Sequence, residues 1–286
     1  MAIHPTAVIS SHANIAADVE IGPLCVIEDN VTLGSGCRLA SHVTIKRGTV
    51  LGSNNVIDVG AVLGGDPQHM AAGDEVGDIT IGSGNQIREF VTIHRAYKPG
   101  ETTKIGDFNM FMASSHVGHD CVVGDHNILA NNVLLAGHVE VDQRNYFGGG
   151  AAVHQFCRVG SYTMIGGLSR ITRDVPPFVL VDGSTSLLVG LNKVGLRRTG
   201  MPAEAREMLK EAYRIAFRDE GAFEWRLQHL RARFPEDPVR QLWTFLSTGK
   251  RGFLQDRRQK EGRSANRTDA PKVAESTGLR IYPKAA

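Results

Sequence analysis

Histidines are the residues of this sequence best suited to chemistry, because a neutral imidazole can take up a proton near pH 7. The chain has 11 histidines, and four of them, His116, His119, His138 and His154, lie close together in sequence. His119 is followed directly by Asp120, and a carboxylate can orient an imidazole and favour its protonated form. The pair is therefore a candidate general base, provided that a turn brings the two consecutive side chains together.

The elements that position these histidines follow from a six-residue apolar repeat. Every sixth residue from Ile3 to Ile171 is apolar, and the exceptions are His69, Glu75 and Pro99. A period of six is neither the helix period nor simple strand alternation, whereas a parallel β-helix has this period. The position two residues before each aliphatic should also point inward. Small or β-branched residues dominate there, together with all four cysteines, Cys25, Cys37, Cys121 and Cys157.

Three hexads make one coil of 18 residues, so the stacking of side chains can be computed. His119, Gly137 and Gln155 are spaced by 18 and should lie above one another. His138 and His154 fall one step from that line, and His116 falls three steps away. The Gly137 N–H could then face a developing oxyanion. Glycine often follows the aliphatic residue of a hexad, and we expect positive φ there, at the corners of the coil.

A metal site and a purely structural role are the competing interpretations of the histidines. Zinc would require three converging ligands. Only two residues separate His116 from His119, whereas the β-helical carbonic anhydrases usually have four between such a pair. We therefore predict no metal ligands. A flat prism face offers no concave site, so the cleft should need a second subunit in a cyclic oligomer.

The pattern predicts a mainly β chain with a β-helix over residues 1–190 and loops at 65–77 and 96–102. The repeat stops at Asp174-Val175-Pro176-Pro177, and proline cannot join a strand ladder. We expect an irregular segment up to Thr199 and a small α-helical domain over 191–254. We expect three helices in this domain. The first should begin at Pro202, the second should cover 223–233, and the third should begin at Asp237-Pro238. Residues 255–286 are polar and are predicted to be disordered.

Charge divides unevenly between the two parts of the chain. Residues 191–286 carry 21 Lys and Arg against 12 Asp and Glu, a net charge of +9, which leaves −7 on residues 1–190. A basic C-terminal part favours an acidic partner, while the absence of an aromatic-rich binding pattern argues against nucleic acid. The sequence shows no signal peptide, no stretch long enough to span a membrane and no disulfide pattern, so we predict a cytoplasmic protein.

Several segments are similar to the family of acyl-ACP:UDP-N-acetylglucosamine O-acyltransferases, which begin lipid A synthesis. The resemblance extends from about residue 3 to residue 253 and is carried by residues 91–95, 115–121, 129–132, 135–139, 152–157 and 174–177, and by Asn192 and 195–198. It implies a left-handed parallel β-helix, a homotrimer and active sites between neighbouring subunits. It also implies that the substrates are UDP-N-acetylglucosamine and an acyl group on the phosphopantetheine of acyl carrier protein, with no further cofactor.

The resemblance also implies roles for individual residues. His119 would deprotonate the glucosamine 3-hydroxyl, Asp120 would orient it, and the Gly137 N–H would stabilise the oxyanion. The basic helices would dock acyl carrier protein. A residue at the position of Gly167 limits acyl length in this family, so glycine there predicts a longer 3-hydroxyacyl chain. Four further residues would contact the sugar, the acyl chain or the nucleotide: His116, His138, His154 and Gln155. Asn192 and Arg198 would hold the nucleotide and pantetheine side.

The sequence departs from the family pattern in three places. His69-Met70-Ala71 stands where Asp-Leu-Lys is common, Val194 stands where Glu is usual, and a family histidine is missing near Thr185. Each change removes a polar contact. Two alternatives therefore stay open: N-acylation of an amino-sugar nucleotide, and a β-helical binding protein without catalytic activity.

Overall fold

The computed structural model describes residues 2–258 and is the predicted left-handed parallel β-helix followed by helices. Most strands have two residues and are joined by tight turns, because each hexad has room for one short strand and one corner. The strands stack into three sheets of 11, 9 and 8 strands, and these form the three faces of a prism.

The three sheets take their strands in rotation along the chain. The first sheet contains Ala2–Ile3, Glu20–Ile21, Arg38–Leu39, Val56–Ile57, Gln86–Ile87, Met110–Phe111, Ile128–Leu129, Tyr146–Phe147, Met164–Ile165, Val179–Val181 and Leu188–Leu191. The second contains Val8–Ile9, Val26–Ile27, Thr44–Ile45, Val62–Gly65, Thr92–His94, His116–Val117, Leu134–Leu135, Ala152–Val153 and Arg170–Ile171. The third contains Asn14–Ile15, Thr32–Leu33, Thr49–Leu51, Asp78–Ile81, Thr102–Ile105, Val122–Val123, Glu140–Val141 and Arg158–Val159.

The register is 18 residues wherever the coils are unbroken, as in the pairing of Val117 with Leu135. The two insertions preserve this alignment, since Leu63 pairs with Ile93 and Ile93 pairs with Val117. The first loop (residues 65–77) and the second loop (residues 96–102) therefore leave the prism from the same edge, directly after strands of the second sheet.

The inside of the prism is filled by the repeated aliphatic positions. Their side chains are almost fully buried from Ile21 onward, and Phe111 and Phe147 occupy the same phase. All four cysteines are buried and unpaired, as expected for small core residues. The coils thus bury a continuous apolar column.

A ladder of asparagines runs up one inner corner, between the third and first sheets. Each side-chain Oδ1 accepts the backbone N–H of the corresponding residue one coil later, at 2.7–2.9 Å, and the last such N–H belongs to Thr163. This arrangement satisfies backbone donors that the turn would otherwise leave unpaired. Its members, all at most 2 % exposed, are Asn55, Asn85, Asn109, Asn127 and Asn145.

The glycines after the aliphatic positions are not the left-handed corner residues, which corrects the sequence-based expectation. At Gly22 and Gly106 the backbone instead packs against the next coil, and an added Cβ would lie 2.7 Å from the Ala40 carbonyl oxygen or 2.9 Å from the Gly124 carbonyl carbon. Positive φ falls two residues later, for example at Phe108, with φ of 54°.

Side chains at the left-handed corners fold back over the preceding coil. The Phe108 ring lies across Gly84, where an added Cβ would come within 2.6 Å of it. Phe90 covers Gly60 in the same way. Where the lower residue has a side chain the two can stack, as the rings of Phe108 and His126 do at 5.2 Å.

Four helices follow the prism: α1 (Lys193–Arg198), α2 (Ala203–Phe217), α3 (Phe223–Arg233) and α4 (Val239–Thr248). The segment that we expected to be irregular up to Thr199 contains the strand Leu188–Leu191 and α1. The Asn192 side chain caps α1 by accepting the Gly195 N–H at 3.0 Å. No helix within residues 2–258 is long and apolar enough to cross a membrane.

The helices are fixed to the prism by buried polar contacts. The Arg158 Nε donates to Asp174 at 2.9 Å, and its Nη2 donates to the Phe245 carbonyl in α4 at 3.1 Å. The Tyr213 hydroxyl donates to Asp256 at 2.6 Å. Asp256 is 1 % exposed although it falls in the predicted tail; residues 259–286 of that tail lie outside the described part.

Candidate functional site

His119 and Asp120 occupy the corner between the second and third sheets. Asp120 has a φ of 59°, which turns the backbone so that two consecutive side chains face each other. The Nδ1 of His119 lies 2.5 Å from the Oδ2 of Asp120. The Asp120 N–H donates to the Thr103 hydroxyl at 2.8 Å and so anchors the turn. The corner thus supplies the geometry that the sequence could not establish.

The contact with Asp120 determines which nitrogen of His119 bears the proton. A carboxylate only accepts hydrogen bonds, so Nδ1 is the donor, and Nε2 of the neutral ring is left as the basic nitrogen. His119 is 8 % exposed and lines a cleft of about 630 Å³. The arrangement can therefore take a proton from a group in that cleft.

Gly137 lies directly against the His119 ring. An added Cβ would fall 2.6 Å from its Cε1 and Nε2, so no other residue fits there without moving the imidazole. Among residues 2–258 the Gly137 N–H meets no hydrogen-bond acceptor. A free N–H beside the basic nitrogen is placed as an oxyanion donor would need to be.

Three further imidazoles surround the pair. The His116 Nδ1 lies 2.8 Å from the Thr92 hydroxyl, and the rings of His94 and His138 lie 4.9 Å from His116 and 5.2 Å from His119, respectively. Burial, aided by nearby imidazoles, lowers the pKa of His94 to about 4 and also lowers the pKa of His116 and of His138. These rings are therefore neutral near pH 7 and place no formal positive charge beside His119.

Both loops contribute to the site. His69 of the first loop lies edge-on to His119 with centroids 5.3 Å apart, and Tyr97 of the second loop does so at 5.6 Å. Sequence reasoning assigned no role to Gln68, Tyr97 or His94. The register offered a signal, because both loops leave the coil at the position that His119 occupies later in the chain.

His119, Asp120 and His138 offer ligand atoms that lie within 4.8 Å of one another, which is the one possible metal cluster in residues 2–258. Two ligands at roughly 2.0–2.1 Å on a tetrahedral zinc would be about 3.3 Å apart. The 2.5 Å separation between His119 and Asp120 is shorter. The pair is thus arranged as a hydrogen bond and not as two ligands of one ion.

The other predicted site residues divide between locations. Gln155 lines the His119 cleft with His116, whereas His154 is exposed, and its Nδ1 lies 3.3 Å from the Arg251 Nη2. Asn192 and Arg198 line a separate cavity of about 700 Å³ against the first sheet. Within one chain these two groups lie on different faces of the prism.

Gly167 lies at the corner between the first and second sheets, with Gly149 one coil earlier. A Cβ added to Gly167 would lie 3.1 Å from the Gly149 carbonyl oxygen. Together with Gly183 these residues form a strip of backbone without side chains. His119 lies at the opposite edge of the second sheet, so one chain does not bring Gly167 to the candidate base.

The residues that depart from the family pattern also occupy distinct places. Only His69 of its tripeptide lines the His119 cleft, and Met70 is fully exposed. Val194 lines the Asn192 cavity. The Thr185 hydroxyl donates to Asp182 at 2.7 Å.

Comparison with known proteins identifies the family. The bacterial transferase hexapeptide model matches residues 3–47 and 102–137, and the model for domain 2 of UDP N-acetylglucosamine O-acyltransferase matches 174–254. Two relatives are named acyl-[acyl-carrier-protein]–UDP-N-acetylglucosamine O-acyltransferase. The one from Anaeromyxobacter dehalogenans strain 2CP-1 is 46 % identical, and the match covers 88 % of this chain and 99 % of the relative. The one from Thiobacillus denitrificans is 45 % identical, and the match covers 88 % of this chain and 98 % of the relative.

Solved structures lead to the same family. The UDP-N-acetylglucosamine O-acyltransferase of Moraxella catarrhalis has a TM-score of 0.85 at 39 % identity, with 89 % of this chain and 100 % of that chain covered. The UDP-N-acetylglucosamine acyltransferase of Bacteroides fragilis has a TM-score of 0.86 at 33 % identity, with 88 % and 100 % covered. This chain therefore belongs to the family of acyl-[acyl-carrier-protein]–UDP-N-acetylglucosamine O-acyltransferases.

Proposed function

We propose that the protein transfers a 3-hydroxyacyl group from acyl carrier protein to the glucosamine 3-hydroxyl of UDP-N-acetylglucosamine, the first step of lipid A biosynthesis. Family membership supports the substrates, and the 2.5 Å contact between His119 and Asp120 supports the mechanism. That contact leaves the Nε2 of His119 basic and facing a cleft.

In the proposed reaction His119 is the general base. Its Nε2 takes the proton of the sugar 3-hydroxyl while the hydroxyl oxygen attacks the thioester carbonyl carbon. Asp120 accepts from Nδ1 throughout and stabilises the imidazolium that forms. The neutral neighbours His94 and His116 favour this step, since a fixed positive charge would oppose protonation of His119.

The new C–O bond places negative charge on the former carbonyl oxygen. The Gly137 N–H, which has no acceptor among the described residues, is the proposed donor to that oxyanion. Collapse of the tetrahedral intermediate breaks the C–S bond, and the pantetheine sulfur leaves with the proton held on Nε2. The products are the ester and the free thiol of the carrier, so the reaction requires no other cofactor.

We further propose a homotrimer in which each active site lies between two copies. The His119 cleft opens on the second sheet and the Asn192 cavity opens on the first, so a neighbouring copy is needed to bring them together. Both sites expose apolar side chains: Leu134 in the cleft is 47 % exposed, and Tyr146 in the cavity is 38 % exposed. In a cyclic trimer the first sheet of one copy would face the second sheet of the next.

The strip around Gly167 is the proposed channel for the acyl chain. Gly149 and Gly183 neighbour it on adjacent coils, so the backbone surface carries no side chain that would block a long chain. His154 and Gln155 would contact the substrates from the edge beside His119. His138 would contact the substrates from the coil before that of His154 and Gln155, and its ring stacks on Phe156 with centroids 4.6 Å apart.

The helical part is the proposed docking surface for acyl carrier protein. Residues 191–258 carry 15 Lys and Arg against 9 Asp and Glu, and the last turns of α1 and α3 are basic. Such a surface complements an acidic partner. The four unpaired, buried thiols are consistent with a reaction in the cytoplasm.

The assignment can be tested with purified protein, 3-hydroxyacyl carrier proteins of several lengths, and either UDP-N-acetylglucosamine or the corresponding 3-amino sugar nucleotide. We expect an ester on the 3-hydroxyl. An amide from the amino sugar alone would overturn the acceptor assignment, and no transfer to either would overturn the enzymatic one. His119→Ala should abolish turnover, with His126→Ala as a control on the exposed histidine of another corner. Full activity of His119→Ala would reject the proposed base.

The shared site can be tested separately by mixing two inactive variants. His119→Ala and Arg198→Ala affect the two faces that we propose to meet. In a mixed trimer, some sites therefore combine an intact His119 from one copy with an intact Arg198 from the next. Refolding the two variants together should restore part of the activity. No recovery despite trimers of mixed composition would contradict a site shared between copies.

A further inference from the structure

Tyr97 of the second loop contacts both members of the proposed catalytic pair. Its backbone N–H lies 3.3 Å from the Oδ2 of Asp120, the same oxygen that accepts from His119. Its ring meets His119 edge-on with centroids 5.6 Å apart. The second loop therefore reaches the carboxylate through its backbone and the imidazole through its side chain.

A second imidazole lies close to that carboxylate. The Nε2 of His138 lies 3.8 Å from the Oδ2 of Asp120, too far for a hydrogen bond but close enough that a small movement would form one. The Tyr97 ring lies 6.0 Å from the ring of His138, also edge-on. Tyr97 thus packs against both imidazoles that could pair with Asp120.

The Tyr97 ring is itself held on its other side. The ring of His69 stacks on it with centroids 4.5 Å apart and an interplanar angle of 27°. The Ala71 N–H donates to the Nδ1 of His69 at 3.2 Å and fixes that ring in the first loop. The ammonium group of Lys98 lies 5.1 Å from the centre of the Tyr97 ring.

The two loops are joined where they leave the prism. The Arg95 N–H donates to the Gly65 carbonyl at 3.1 Å, and the Gly77 N–H donates to the Ala96 carbonyl at 2.9 Å. The buried Arg95 guanidinium also pairs with Asp66 of the first loop. Tyr97 is therefore supported by the whole loop pair and not by its own turn alone.

From these contacts we propose that Tyr97 is a positioning residue, which keeps the Asp120 carboxylate on His119 and away from His138. This inference rests on the proposed function, because it concerns the orientation of the proposed base. Loss of the ring would let His138 approach Asp120, and His119 would lose the partner that orients it. The phenol oxygen hydrogen-bonds to the exposed ammonium group of Lys98, whose pKa it raises. Within residues 2–258 no hydrogen bond joins that oxygen to Asp120, His119 or His138, whereas the ring contacts both imidazoles, so the ring and not the hydroxyl is the active part.

The test compares Tyr97→Phe, Tyr97→Leu and Tyr97→Ala in the full-length protein. We expect Tyr97→Phe to retain wild-type kcat and Tyr97→Ala to lose at least about tenfold in kcat, with KM for both substrates within about twofold. From the short contact with Asp120 we expect a downfield NMR resonance for the Nδ1 proton of His119 in the wild-type protein, and this resonance should shift or broaden in Tyr97→Ala. If Tyr97→Ala does not fold, Tyr97→Leu replaces it, because leucine also removes the aromatic ring but retains more of the packing.

The same substitution in a variant without His138 tests whether His138 and His119 compete for Asp120. If His138 is the competitor, Tyr97→Ala should cost less than about threefold in kcat when His138 is already replaced in His138→Gln. Phe108→Ala is the matched control, since it removes an aromatic ring from another corner histidine, His126.

Three outcomes would overturn the inference: an unchanged kcat in folded Tyr97→Ala, an unmoved His119 resonance, or an equal loss in the His138→Gln background. Each of these leaves the proposed function standing as long as His119→Ala is inactive. Full activity of His119→Ala would instead reject the proposed base whatever Tyr97 does.

Discussion

Two corners of the prism flank the third sheet, and they place their polar side chains in opposite directions. At the corner before the first sheet, Asn109 and Asn127 point inward, and each accepts a backbone N–H from the next coil. At the corner after the second sheet, the equivalent inward positions hold Cys121, Val139 and Cys157, all fully buried. The polar groups of that second corner face outward.

The difference separates stability from activity within the same coils. The asparagine corner uses its side-chain oxygens to accept backbone N–H groups inside the protein, and its side chains, including the unpartnered Nδ2 of Asn145, are buried away from any substrate. The histidine corner leaves the Nε2 of His119 and the Gly137 N–H available, and neighbouring apolar positions fill the core. Mutations at the two corners should therefore affect different measurements.

The largest expected effect is on catalysis at the histidine corner. His119→Ala should lower kcat by about 10²–10⁴-fold, the usual contribution of a positioned general base. The variant should still fold, because the side chain takes no part in the inner ladder, although some stability is lost when the buried Asp120 carboxylate loses its imidazole partner. A loss of stability larger than that of a variant of the asparagine corner, measured by calorimetry, would contradict the separation of the two corners.

The reverse pattern is expected at the asparagine corner. Asn127→Ala removes the acceptor of the Asn145 N–H and the donor to the Gly124 carbonyl, which should cost about 2–4 kcal/mol of unfolding free energy. At a temperature where the variant is folded, kcat should stay within about twofold. Asn14→Ala, on the exposed face of its strand, is the control and should cost under about 0.5 kcal/mol.

Acid should destabilise the protein through His94. Burial lowers its pKa to about 4 in the folded state, so the unfolded chain binds more protons between pH 6.5 and about 4. The stability that depends on neutral His94 is therefore complete above pH 6.5 and declines as the pH falls through that window, by up to about 3 kcal/mol. His94→Gln should flatten the curve of unfolding free energy against pH, and an unchanged curve would contradict this.

A smaller effect is expected on donor selectivity at a third corner. Gly167→Met adds a side chain beside Gly149 and should shift preference toward shorter acyl donors by at least about tenfold in the ratio of kcat/KM values. Activity with the shortest donor should persist. Unchanged selectivity across a panel of 3-hydroxyacyl chains would show that the strip of glycines does not receive the acyl chain.

The repeat could be predicted from sequence because a single rule, one apolar residue in six, governs both burial and stacking. The same arithmetic placed His119 beside Gly137 before any coordinates. It failed for α1, whose six residues include Gly195 and show no helical periodicity, because that helix depends on its Asn192 cap and on packing. The contributions of His69 and Tyr97 were also missed, because the register places both loops at the corner of His119 but does not specify which loop side chains reach it.

The return of corner side chains over the coil beneath has a consequence for how such a protein can vary over evolution. The ring of Phe108 occupies the space over the bare backbone of Gly84, and that of Phe90 occupies the space over Gly60. A bulky substitution at either glycine would demand a compensating change one coil later, so we expect these pairs to co-vary among relatives. A designer who lengthens the prism would have to choose residues at these positions two at a time.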